Sequence, residues 1–536
     1  MPPTFRMQLG LLAAGALAMA AVPAGAAAAA HPPARARIAA AIPPPPPPDP
    51  GGGGGTRPDP VPVLKRTRAV SQAGSPWQAL THHPSFNPGA MIQLTDGTVL
   101  VQNQGPGNNG TNKWWRLKPS TTGSYVNGTW SQVAALPSSY APLYFASALL
   151  PDGRVIIEGG EYNHGNLVWT NKGAVYDPVA NAWTTVAHPA GSEWVRIGDG
   201  PSTVLPNGKF MLGASGFSGT TAEAILNAQN LTWHATGTGK ADGNGEEGWS
   251  LLPNGDMLAV DTNNTPNTEI YSPATGSWTS AGSTPASLVD ADGEVGPQLL
   301  RPDGSVFAAG AAGANAVYHT ATGTWSAGPS FPVIGGAQYD VADGPAAVLP
   351  DGDVLVAASP GDYSPPTHVF DFNGSTLTEV ADPPNAATMA SNDPYMMVLP
   401  TGQVLFSDRI GDLEVYNSAG SPQPGWLPTI TTAPAALTAG SSYTLTGRQL
   451  NGLTQGAAYG DDYQDATNYP LVRITSTASG TVTYARTSGM TKMTVAPGVS
   501  SSVTFAVPAG TPAGPGTLVV VANGLASAPV NVTVSG

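Results

Sequence analysis

A turn signature recurs seven times along this chain, and few folds can accommodate such a repeat. It reads Leu-Thr-Asp-Gly at 94–97, Pro-Asp-Gly at 151–153, 302–304 and 350–352, Pro-Asn-Gly at 206–208 and 253–255, and Pro-Thr-Gly at 400–402. Successive glycines stand 56, 55, 47, 49, 48 and 50 residues apart. Short apolar runs flank each signature, as Ala148-Leu149-Leu150 and Val155-Ile156-Ile157 flank the second. Proline fixes φ and glycine supplies positive φ, so each signature reads as a tight hairpin between two strands. A second mark follows each turn. An aromatic or apolar residue precedes a Trp by seven positions at Tyr176/Trp183, Leu226/Trp233, Tyr271/Trp278 and Tyr318/Trp325. Phe370 and Leu377 keep the spacing without the Trp, and Trp130 and Trp426 close the first and last units. Four short strands in roughly fifty residues, repeated seven times, predict a β-propeller with the aromatics packed between blades. Trp77 is one closing aromatic too many, so the N-terminal strand is predicted to complete the last blade and seal the ring.

The remaining sequence divides around this repeat. Arg6 precedes an apolar stretch from Leu9 to Val22, and Ala24-Gly25-Ala26 supplies a small-x-small cleavage signal. Residues 1–26 therefore read as a secretory signal peptide. Residues 27–74 are rich in Ala, Pro and Gly, with Pro43 to Pro48 followed by Gly51 to Gly55, and read as a disordered linker. The propeller is assigned to 75–428. Alternating runs such as Ser442-Tyr443-Thr444-Leu445-Thr446 and the apolar run 517–521 predict a small β-sandwich over 429–536. The fold class is all-β. The expected location is secreted, periplasmic or cell surface, with no stable membrane insertion after cleavage.

Composition narrows the chemistry. The chain has no cysteine, which excludes disulfides, thiolate metal sites and cysteine nucleophiles. Beyond residue 70 it carries 14 basic and 33 acidic residues, a net charge of −19. Such a surface repels nucleic acid and anionic membrane, and suits a neutral sugar, a cationic ligand or a metal-bridged one. No Gly-x-Ser-x-Gly elbow, His-Glu-x-x-His or phosphate loop is present.

The string Arg154-Val155-Ile156-Ile157-Glu158-Gly159-Gly160, followed by Tyr176 and Trp183, resembles a Kelch repeat. The whole of 75–536 resembles the galactose oxidase-like proteins. That resemblance implies a seven-bladed Kelch propeller followed by an immunoglobulin-like sandwich, which sends a loop into the propeller channel. It also implies copper held by histidines and by a tyrosine cross-linked to cysteine. The cross-link cannot form without cysteine. Asn392-Asp393 stands where the family has a Tyr-His pair, Gln464 in the stretch 459–464 stands where it has a further histidine, and no histidine follows His368. Copper-radical alcohol oxidation is therefore not expected.

A different donor set is predicted for the channel. Seven residues before the Pro of the turn lie Asp199, Glu246, Asp343 and Asp393 in blades three, four, six and seven. Blade five has Val295 there with Glu294 beside it, blade two has Tyr144 and blade one Pro88. Equivalent positions in a propeller form a ring, so five carboxylates are expected at one mouth. Crowded carboxylates are relieved by a cation or by proton uptake. Calcium is the cation the pattern points to, with Asp461 and Asp462 adding oxygens from the C-terminal loop and Gln464 facing a ligand. Trp114 and Trp115 offer a sugar-stacking platform. His82 and His83 point oppositely if extended, and His164 lies in a loop after Gly-Gly. The leading functional expectation is a binding protein for glycan or cell-envelope material. The alternatives are a cation-assisted polysaccharide lyase or glycoside hydrolase using the channel carboxylates, and a structural surface scaffold.

Overall fold

The computed structural model describes residues 74–215, 219–361, 364–460 and 468–536. Residues 1–26, read above as a signal peptide, almost all of the segment 27–74 read as a linker, and Asp461, Asp462 and Gln464 lie outside the described residues. The repeat builds seven four-stranded antiparallel blades among the described residues. Their first strands are Pro88–Gln93, Ala146–Leu149, Ser202–Val204, Trp249–Leu251, Gln298–Leu300, Pro345–Val348 and Tyr395–Val398, and strands of neighbouring blades lie against one another around the axis.

The turn backbone is the same in every blade, and blades one to six share its side-chain bond, which Thr401 does not make in blade seven. The signature glycines have φ between 78° and 91°, in the left-handed region. Each donates its N–H to the carbonyl three residues back, as Gly153 does to Leu150 at 2.8 Å. The Asp or Asn before the glycine accepts from the backbone N–H two residues on, as Asp152 does from Arg154 at 3.1 Å, which explains the choice of residue.

The second mark is the blade-to-blade seam. Tyr176 pairs with Trp183 across the outer strands, and Leu226, Tyr271 and Tyr318 pair with their tryptophans in the same register. The indole N–H of Trp183 then reaches Ala134, that of Trp233 reaches Ala187 and that of Trp325 reaches the Thr268 hydroxyl, each in or at the end of the preceding blade. Blade six departs from the expectation. Phe372, not Phe370, lies opposite Leu377, so the pair seven apart is Asp371 and Thr378.

The ring closes through the N-terminal strand Trp77–Ala79, which pairs with the third strand of blade seven, Trp77 opposite Tyr416. Closure removes the two open edges a seven-blade array would otherwise present.

From Thr429–Thr432 onward the chain forms further strands, antiparallel except where Ala436–Thr438 runs parallel to Val530–Ser535. Leu445, Val503 and Phe505 share a core there with Val472, Val520 and Val532. These strands rest on the signature-turn end of the propeller. Met490 donates to the Pro151 carbonyl at 3.2 Å and Met493 to that of Pro206 at 3.0 Å. One of them, Ala457–Tyr459, enters the axis and becomes a fifth strand of blade six, pairing Ala457 to Tyr459 with Ala347 to Pro345. It delivers Tyr459 and Gly460 to the far end of the channel. Among the described residues helix is confined to four short 3-10 turns, and none is long and apolar enough to cross a membrane.

Candidate metal centre at the channel mouth

The segments that lead into the first strands meet at the end of the axis opposite the signature turns. Three residues there hold left-handed backbone at corresponding places: Tyr144 at φ 49°, Glu246 at φ 58° and Asp343 at φ 47°. This conformation is strained for residues other than glycine, and strain of this kind collects at functional sites. Local contacts hold it. The Thr262 hydroxyl ties down the Gly245 carbonyl at 2.8 Å, and Gly460 donates to the Gly344 carbonyl at 3.1 Å. In blade five, Asp290 Oδ1 accepts from the N–H groups of Asp292, Gly293 and Glu294 at 2.8–3.0 Å, which fixes the loop that presents Glu294.

The result is a convergence of three blades. One carboxylate oxygen each from Glu246, Glu294 and Asp343 lies within 4.8 Å of the other two. That matches the span of a Ca²⁺ coordination sphere, twice a Ca²⁺–oxygen distance of about 2.4 Å. Burial pushes Asp343 up to about 7, the nearby Asp199 charge adds to the rise, and a hydrogen bond with Glu294 opposes it. Burial raises Asp199 as well, against a hydrogen bond from Ser215. Asp199 is 5% exposed and its Oδ1 has no hydrogen-bond partner among the described residues. The inserted strand comes close enough that a Cβ on Gly460 would stand 2.7 Å from Asp343 Oδ1. At φ 34° a side chain there would be strained in any case.

Sequence reasoning missed Glu161. Burial, and then the charges of Asp199, Glu246 and Asp343, hold its carboxyl well above the ordinary range, which places it beside the same acids. It follows the second strand of blade two rather than preceding a first strand, so counting back from the turns could not reach it. Its place after Gly159-Gly160, beside the loop of His164, was the available signal. His164 itself is exposed.

Asp393 takes a different role from the one expected. It is ion-paired with the buried Arg409, and its other oxygen accepts from the Ala390 N–H at 2.9 Å. Arg409 also donates to the Tyr144 hydroxyl at 3.2 Å and to the Asn392 carbonyl at 3.3 Å. Around it stand Tyr395 and Tyr459, with ring centroids 5.3 Å apart, and Tyr144 and Tyr162, 6.1 Å apart. The Tyr459 hydroxyl donates to the Asn392 carbonyl at 2.6 Å while its neighbour Gly460 abuts Asp343, so the inserted strand ends between the two halves of the mouth. One half is acidic. The other is phenolic and carries a fixed guanidinium.

The stacking platform expected at Trp114 and Trp115 is not formed. Trp114 is fully buried, against Phe145 and Trp183. Trp115 is half-buried and stacks on Phe86 at 4.8 Å. His82 bonds the Gly128 carbonyl and His83 pairs with Asp412, so the two face different partners. A cavity of about 60 Å³ lies elsewhere, where Leu149, Val204 and Leu251 meet Asn451, Met493 and Val495 of the C-terminal strands. It is mostly apolar, and none of the clustered acids lines it.

No family model matches the chain. A Kelch-like protein of Aspergillus terreus is 30% identical over 98 residues, which cover 18% of this chain and 20% of that protein. The chain thus matches about a fifth of that relative's length. Among solved structures, a fungal alcohol oxidase of the AA5 family, in complex with copper, aligns over 86% of this chain and 99% of its own at 16% identity and a TM-score of 0.49. YjhT aligns over 57% of this chain and all of its own at 14% identity and a TM-score of 0.39.

Proposed function

We propose that this chain is an exported binding protein whose channel mouth holds a hard cation, best matched by Ca²⁺, and takes a hydroxyl-rich ligand such as a glycan or cell-envelope polymer through it. The observation that carries this reading is the meeting of Glu246, Glu294 and Asp343 within 4.8 Å. Oxygen donors in that arrangement suit a cation that accepts six to eight of them. Positions left over on the ion are available to sugar hydroxyls. The half-buried rings of Tyr144 and Tyr162 supply apolar faces for the sugar C–H groups beside the ion.

The same residues do not fit copper. They are carboxylates and phenols around a guanidinium that already bonds Tyr144 and Asp393. The chain has no cysteine, and no histidine follows His368. One feature favours a hydrolytic or eliminating enzyme as the second reading: the hydrogen-bonded pair Asp343 and Glu294, with Asp343 at about 7, has the form of an acid–base couple.

A glycan array probed with the full chain separates these readings. Binding that needs Ca²⁺, disappears in chelator and leaves the glycan intact is the expected result. Binding indifferent to chelator would remove the cation from the account, and cleaved glycan would favour the enzyme.

Buried acids, one of them at the mouth, also give stability a pH dependence. Asp343, Asp340 and Asp371 are each pushed to about 7, first of all by burial. A carboxyl raised in the folded state holds its proton where the unfolded chain has lost it. Stability is therefore greatest near pH 4 and falls as pH climbs towards 7, by about 1.4 kcal/mol per pH unit for each linked proton. In chelator the thermal midpoint is expected to be higher at pH 5.5 than at pH 8, and Ca²⁺ at pH 8 to recover part of the loss. A midpoint that rises with pH in chelator would contradict the buried carboxyls' hold on their protons.

A further inference from the structure

Blade four encloses a second set of acids, separate from the mouth. Asp242 and Glu247 lie in the segment that leads into the first strand Trp249–Leu251, and Asp261 follows the second strand Met257–Val260. One carboxylate oxygen of each lies within 4.8 Å of the other two. Glu247 and Asp261 are 0% exposed and Asp242 5%. Glu223 and Glu269 adjoin them, and the ammonium of Lys240, over the Trp278 ring, faces Glu247, Glu269 and Glu223.

That ammonium is already committed. It bonds Glu247 Oε1 at 2.8 Å and Glu269 Oε2 at 3.3 Å. Glu269 also accepts from the N–H groups of Ala241 and Asp242, and Asp242 from those of Gly243 and Asn263. Three oxygens are left over, one of them Oε1 of Glu223, outside the trio. Glu247 Oε2 and Asp261 Oδ1 are buried and have no hydrogen-bond partner among the described residues. Orphaned buried oxygens of this kind call for a ligand or a proton. A proton shared between the two oxygens would serve only those two, whereas one cation draws on both acids and on the lone pairs of Asp242 as well.

We propose that a hard divalent cation sits inside blade four, held by Asp242, Glu247 and Asp261. It would fasten the segment between blades three and four to the second strand of blade four. Glu246, the neighbour of Glu247, faces the mouth, so the same segment carries a ligand of each site on adjacent residues. The proposal stands independently of the mouth, since different side chains and different orphaned atoms carry it.

Terbium, a luminescent stand-in for Ca²⁺, tests it on the full chain. Trp278 lies beside the cluster, so the wild type is expected to give tryptophan-sensitised emission that Ca²⁺ displaces. That emission should persist in Asp343→Asn, which alters only the mouth, and be lost in the pair Glu247→Gln and Asp261→Asn. Elemental analysis of chains equilibrated with Mn²⁺ gives a second readout. The Glu247→Gln/Asp261→Asn pair should lose one equivalent, whatever the mouth holds. If the mouth reading alone is wrong, the wild type retains a single equivalent that this pair abolishes. Wild-type protein with no tryptophan-sensitised terbium emission overturns the proposal, whether or not the variants fold. So does a folded Glu247→Gln/Asp261→Asn pair with undiminished emission and Mn²⁺ content.

Discussion

Replacing Asp343 with Asn and Glu294 with Gln should weaken Ca²⁺ at the channel mouth by about 100-fold, about 2.7 kcal/mol, and should stabilise the metal-free protein. The two effects have one origin. Asp343 and Glu294 share the mouth with Glu246, and Asp343 lies near Asp199. Without a cation they repel, and with one they are its ligands. Removing their charge relieves the first situation and spoils the second. The substitutions are gentle on the backbone: Asp343 holds φ 47°, and Asn is among the residues that tolerate the left-handed region best. Glu294 to Gln keeps the side-chain shape. Competition against a chelating dye reads the affinity, and thermal unfolding in chelator reads the stability. Unchanged affinity, or a metal-free variant less stable than the wild type, would contradict the shared origin.

Replacing Trp77 with Ala should cost about 3–5 kcal/mol of unfolding free energy, the range for deleting a large buried aromatic. Trp77 is 2% exposed, with edge contacts to Phe406 and Tyr416 at 5.1 and 5.0 Å, and its indole N–H bonds the Ala381 carbonyl at 2.6 Å. It anchors the strand Trp77–Ala79, which closes blade seven. Its loss therefore removes core volume and loosens a strand that joins the two ends of the repeat. Trp233, only half-buried in the middle of the array, should cost less when replaced in the same way. Denaturant titration compares the two. A Trp77→Ala cost under about 1 kcal/mol would mean that the ring does not depend on this closure.

How much of this was legible in the sequence follows from the symmetry of the fold. The turn signature fixed the blade count because Pro, Asp or Asn, and Gly each answer a separate demand of the same hairpin. Counting back from those turns led to Glu246 and Asp343, and to Glu294 one residue off the count, because a propeller places equivalent positions around one axis. The same counting could not foresee Arg409. It lies sixteen residues after Asp393 in another loop, and it turns that acid from a metal ligand into the partner of a guanidinium. Trp114 and Trp115 read as a stacking platform, but Trp114 is fully buried and Phe86, from an earlier loop, covers Trp115. The acids inside blade four were invisible for a further reason. Asp242, Glu247 and Asp261 are separated by five and fourteen residues in no repeating pattern, and only the packing of one blade brings them together.

The most direct test of the central claim is anomalous diffraction from crystals of the full chain grown with Mn²⁺ at pH 8. The account requires a peak at the channel mouth within coordinating distance of Glu246, Glu294 and Asp343, lost when Asp343 is Asn. A mouth without anomalous density at saturating Mn²⁺, with the three carboxylates in place, would contradict it.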